Sequence, residues 1–79
     1  MKRRIYLTFP PNLVSEPIVC EMYDAVGVRF NLRVASVNDE IGIIGMELDG
    51  EPARVDAAMA YFRSRGVRVE AIEPDVLTG

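Results

Sequence analysis

Apolar and polar residues alternate at the start of the chain. Ile5, Leu7 and Phe9 fall on one side of an extended segment, and Arg4, Tyr6 and Thr8 on the other. That period of two is expected of a half-buried strand over residues 3–9. Pro10 and Pro11 close it, because proline cannot donate to a ladder. Asn12, Leu13 and Val14 read as a connector. The period then lengthens: Ile18, Val19, Met22, Tyr23 and Val26 share one helical stripe. Ser15 is the expected N-cap, with Glu16 in the first turn, Pro17 just inside the start and Gly27 at the C-cap. Alternation returns over residues 28–37, where Phe30, Leu32 and Val34 point one way and Asn31, Arg33 and Ala35 the other. Asn38-Asp39-Glu40 has the composition of a tight turn. A third strand is predicted over 41–49, with Ile44, Met46 and Leu48 inward and Ile43, Gly45 and Glu47 outward. Gly50-Glu51-Pro52 opens a second helix. Its Val55, Ala58, Met59 and Phe62 recur at i, i+3, i+4 and i+7, and Gly66 ends it. A fourth strand is expected over 67–72 and a frayed, flexible tail over 74–79.

The predicted order is βαββαβ. The fold class is therefore α+β, a ferredoxin-like two-layer sandwich with two helices on one face of a four-stranded antiparallel sheet. In the usual strand order the first and third strands are central and the second is an edge. An edge of good β-formers needs protection, and pairing with the same edge of a second chain supplies it.

The 79 residues suffice for one domain, spanning 1–79 with its core at about 3–73. Hydrophobic residues make up 49%, so a core is expected and wholesale disorder is not. A chain this short buries only about 60–65% of its unfolded surface, so pairing would add needed stability. The net charge of -3 argues against nucleic acid, whose binders carry a basic field. Lys2-Arg3-Arg4 reads as a solubilising cluster. Neither a signal peptide nor a membrane span is expected.

Catalytic machinery is not evident. Histidine is absent, which removes the usual general base and the commonest metal ligand. The single cysteine, Cys20, cannot close an intrachain disulfide or hold a zinc or iron-sulfur site alone. It fits a reducing cytosol, and its expected role is structural. Asp39, Glu40, Glu47, Asp49 and Glu51 lack calcium-loop spacing and read as solvated charges. No metal or cofactor is expected, and the chain reads as a non-enzyme. Met22, Met46 and Met59 fall on inward positions and are assigned to the core.

The helix-free face of the sheet is left with a mixed surface. It would hold Tyr6, Thr8, Asn31, Arg33, Ile43, Gly45, Glu47, Arg68 and Glu70. Tyr6 is its single aromatic residue, too few for an RNA-binding sheet. Arg33 can fork onto a carboxylate, Asn31 can donate and accept, and Glu47 can accept from an ammonium group. Gly45 in a strand marks a bulge or a close approach. Asn31, Arg33, Gly45 and Glu47 are thus candidate ligand-binding residues for a free amino acid. The alternative is three solvated side chains in cross-strand pairs.

Three stretches carry a family resemblance. Leu7-Thr8-Phe9-Pro10 with Glu16-Pro17-Ile18 form the first, and Gly27-Val28 with Phe30-Asn31-Leu32-Arg33 the second. Met46 through Gly50, Ala58, Ala60-Tyr61-Phe62 and Arg65 through Glu70 form the third. Together, over nearly the whole chain, they resemble the NIL domain, the small C-terminal regulatory domain of methionine ABC-importer ATPase subunits. The family's Asn-Ile-Leu motif falls on Asn31, Leu32 and Arg33. The resemblance implies an ACT-like homodimer that binds methionine or a related sulfur amino acid near its interface, with Asn31 a ligand contact. Arg33 stands where the family has an aliphatic residue. This looks like the subgroup fused to a ferredoxin module in sulfur amino-acid metabolism. With neither an ATPase domain nor a cysteine-rich segment, the chain is expected to act in the cytoplasm on an enzyme or transporter in trans. A ligand-free pairing module through the second strand is the alternative reading. A third is an accessory to a sulfur-transfer or iron-sulfur enzyme, with Cys20 as a contact.

Overall fold

A computed structural model describes residues 1–72; the tail expected over 74–79 lies outside them. The elements follow in the order β1 (Lys2–Phe9), α1 (Ile18–Val26), β2 (Arg29–Val37), β3 (Gly42–Asp49), α2 (Pro52–Ser64) and β4 (Arg68–Ile72). A short 3-10 turn, Pro11–Leu13, fills the connector after β1. The sheet order is β2-β3-β1-β4 and every neighbouring pair is antiparallel. This is the ferredoxin-like arrangement expected from the element order, with β2 and β4 as its two edges.

Strand phase decides which side chains enter the core. Ile5, Leu7 and Phe9 of β1 lie opposite Met46, Ile44 and Gly42 of β3. From the helices, Ile18, Met22, Val55, Ala58, Met59 and Phe62 close on them, and all are buried. The inward assignment of the methionines is met. Each fully buried aliphatic or aromatic side chain contributes about 1.5–3 kcal/mol relative to leaving it in water.

The start of α1 departs from expectation. Ser15 caps nothing; the N-cap position is Pro17, without a side-chain cap bond. Glu16 precedes a proline and is biased away from helical geometry. The Ile18 N–H then reaches back to the Glu16 carbonyl at 2.8 Å, with Pro17 at φ -81° and ψ 54°, an inverse γ-turn. Helical bonding begins only beyond it, where the Glu21 N–H donates to the Pro17 carbonyl. At the other end Gly27 takes φ 74° and donates to the Tyr23 carbonyl, as its position predicts.

β2 also departs from its predicted phase. Phe30 and Leu32 lie opposite Leu48 and Met46 on the helix-bearing side, but the register shifts between Leu32 and Val34. Arg33 is the extra residue of a β-bulge, so Val34 lies opposite Gly45 on the helix-free side. Ala35 and Val37, opposite Ile44 and Gly42, then belong to the helix-bearing side. The assignment of Val34 to the core, and of Ala35 away from it, is corrected by that one inserted residue.

Candidate functional site

The four candidate residues sit at the β2–β3 end of the sheet, around the bulge. Asn31 is exposed and lies directly opposite Glu47 on the helix-free face. Glu47 is engaged by Arg4 of β1, at 3.5 Å from Nε to Oε2. Arg33 is exposed in the bulge and forms no ion pair among the described residues. Gly45 is covered: a Cβ there would stand 2.8 Å from Tyr6 Cε1 and 3.6 Å from Val34 Cβ. Strand and bulge therefore hold the four near one another, with Gly45 roofed by its own neighbours.

A groove of about 640 Å³ lies on the opposite side of β2. Its walls come from Ile18, Val19 and Tyr23 of α1, Phe30, Leu32 and Val37 of β2, and Phe9, Gly42 and Ile44 of the central strands. Val14, Glu16, Pro17 and Cys20 complete the lining, and none of the four candidates contributes to it. The volume suits a small molecule, and the lining is apolar apart from Glu16 and Cys20. The helices leave the far half of β2 uncovered, with Leu32 51% and Val37 57% exposed. Tyr23 and Phe30 meet edge to face across one wall, ring centroids 6.2 Å apart. Cys20 is exposed on α1.

Sequence periodicity counted Tyr23 on the buried stripe of α1 and left the groove unseen. A signal was present nonetheless. Ala35 and Val37 continue in the phase opposite to Phe30 and Leu32, and such a slip announces a bulge.

A family model described as the NIL domain matches residues 3–71. The chain belongs to the NIL domain family. Among solved structures, this NIL domain is similar to the C-terminal domain of an ABC transporter ATP-binding protein from Enterococcus faecalis. The TM-score is 0.78 at 19% identity, covering 92% of this chain and 86% of that one. It also resembles part of an amidase of the hydantoinase/carbamoylase family from Burkholderia phymatum. There the TM-score is 0.58 at 16% identity, over 92% of this chain and 28% of the amidase. At these identities the likeness is one of fold. No curated protein matches in sequence. Among the described residues, no three His, Cys, Asp or Glu side chains gather where they could hold a metal. No helix among those residues is long and apolar enough to cross a membrane.

Proposed function

We propose that this NIL domain is a non-catalytic regulatory domain that pairs with a second copy through β2. It responds to a small amino acid, methionine or a related sulfur amino acid, held at that edge. The observation that carries this reading is the character of β2. It is a nine-residue edge strand with Leu32, Val34 and Val37 at least half exposed, beside a groove of ligand size. A long apolar edge exposed to water is a pairing surface. Family membership supports regulation as the role. The Enterococcus relative, from an ABC transporter ATP-binding protein, makes a transporter ATPase or an enzyme in the cytoplasm the fitting partner in trans.

Two seats adjoin the β2 edge. One is the helix-free face at Asn31, Arg33, Gly45 and Glu47; the other is the groove. Calorimetric titration of the chain with methionine, homocysteine and the common amino acids is expected to show saturable binding. Asn31→Ala weakens it by about 1–3 kcal/mol if the amide holds the ligand, the cost of stranding its polar partners. Flat titrations across the panel would remove the sensing role. A ligand-free pairing module would then remain, favoured by the same exposed apolar side chains. In that case a charge at Ile43 abolishes association while amino acids leave it unchanged.

A further inference from the structure

We infer that two copies of this chain pair along β2 in one register, with Ala35 of each strand opposite Val37 of the other, and that an ion pair from Arg33 to the partner's Asp39 fixes it. This rests on the pairing through β2 proposed above and goes further by naming the residues that meet.

The backbone of β2 sets the register. The Asn38 N–H donates to the Ile41 carbonyl at 3.0 Å, so the backbone of Asn38 is directed toward β3. Backbone groups alternate in direction along a strand. Val34 and Ser36 therefore bond toward β3, while Ala35 and Val37 present N–H and C=O to the open edge. The bulge at Arg33 breaks the alternation on one side, and the turn after Val37 ends the strand on the other. A two-fold pairing of this short edge sets Ala35 against Ala35, Val37 against Val37, or Ala35 against Val37. In the last of these, each outward residue meets one that also faces outward, which makes four hydrogen bonds. Either alternative makes two. The side chains agree, because Ala35 and Val37 both lie on the helix-bearing side. Val37, 57% exposed in the single chain, is then covered by the partner's Ala35.

The same register brings opposite charges together. Counting outward from the Ala35–Val37 pair, Val34 falls opposite the partner's Asn38 and Arg33 opposite the partner's Asp39. Symmetry makes the contact twice. Arg33 and Asp39 are both exposed, and neither forms an ion pair among the described residues. The turn that carries Asp39 is already ordered: Asn38 Oδ1 accepts from the N–H groups of Glu40 at 2.8 Å and Ile41 at 3.0 Å. A charge on a fixed turn costs less to order when a partner arrives. Pairing Ala35 with Ala35 would instead leave Arg33 against the partner's Val37, so the charges select the register.

Sedimentation equilibrium of the full chain tests this. Arg33→Asp and Asp39→Arg each place like charges opposite one another twice per dimer. Each is expected to raise the dimer dissociation constant about tenfold at low salt, and less at high salt. Mixed in equal amounts, the two variants should associate about as tightly as wild type, because each meets its opposite. The chain carrying both substitutions should recover in the same way. Six positions on an extended strand span about 20 Å, so that recovery cannot arise within one chain. Arg29→Glu changes net charge equally but lies outside the register, and association should be unaffected. If wild type dimerises and mixing restores nothing, the register is overturned while pairing through β2 stands. Equal weakening by Arg29→Glu would also overturn it, because net charge alone would then be responsible. If wild type stays monomeric at every concentration, the pairing itself fails and the register falls with it.

Discussion

Gly45 is the residue on which the edge of this sheet turns. Opposite it stand Val34 and the inserted Arg33, and Tyr6 lies across it from β1. A methyl group on Gly45 would meet Tyr6 Cε1 at 2.8 Å, too close for carbon atoms. The obstacle is the far end of a ring that is 40% exposed, so the ring can swing away at modest cost. Gly45→Ala is expected to lower stability by about 1 kcal/mol in urea denaturation, the lower end for overpacking. Removing the ring with Tyr6→Ala in the same chain should cancel most of that loss, which a double-mutant cycle reads directly. The sequence offered two readings of this glycine, a bulge or a close approach. The structure gives neither in that form: the bulge is in the strand opposite, and what comes close to Gly45 is a side chain, Tyr6. No alternation pattern shows the second, because it depends on the β1–β3 register.

At the level of elements, the two helices are joined by side chains rather than by core packing alone. Arg54 of α2 donates through Nη1 to the Val26 carbonyl at 3.1 Å, satisfying the end of α1 with a cation where the helix dipole favours one. Arg54→Ala is expected to cost about 0.5–1.5 kcal/mol, the range for one net hydrogen bond, seen as a lower denaturation midpoint without change in slope. The end of α2 is closed by its own backbone. Val67 donates to the Phe62 carbonyl and Gly66, at φ 91°, to that of Arg63, the Schellman pattern. Both glycine stops were legible from sequence, because positive φ leaves little choice of residue. The start of α1 was not, because a γ-turn at Pro17 displaced the cap that Ser15 could have made. In β2, deleting Arg33 would leave every β2–β3 pair as it stands. Amide exchange at Val34 and Ser36, whose N–H groups alternate toward β3, should therefore stay protected in that deletion, and loss of protection there would show that the bulge is needed for pairing.

The two edges of the whole sheet are unlike. β4 has five residues, and Arg68 and Glu70 form an ion pair at 3.7 Å on its outer face. Short length and charge discourage an edge from pairing. β2 has nine residues and leaves Val34 half exposed. Association is therefore expected at β2 and not at β4. Val34→Lys should lower the sedimentation coefficient to that of a monomer and make the melting temperature independent of concentration, since mass action no longer stabilises the fold. A charge added at Ala71 of β4 should change neither.

Residue periods alone carried the element order, the core stripe of α2 and the inward methionines, because burial is repeated at every turn or every second strand position. The resemblance resting on Phe30-Asn31-Leu32-Arg33 and its companion stretches likewise needed no coordinates. Tertiary structure decided how β2 is divided between the two faces of the sheet. A single inserted residue reverses side-chain direction, and only the pairing with β3 shows where it falls. It also decided that the apolar groove lies beside Ile18 and Leu32 and away from Asn31. A groove forms where packed elements fail to cover one another, and that failure belongs to the assembled layers rather than to any stretch of chain.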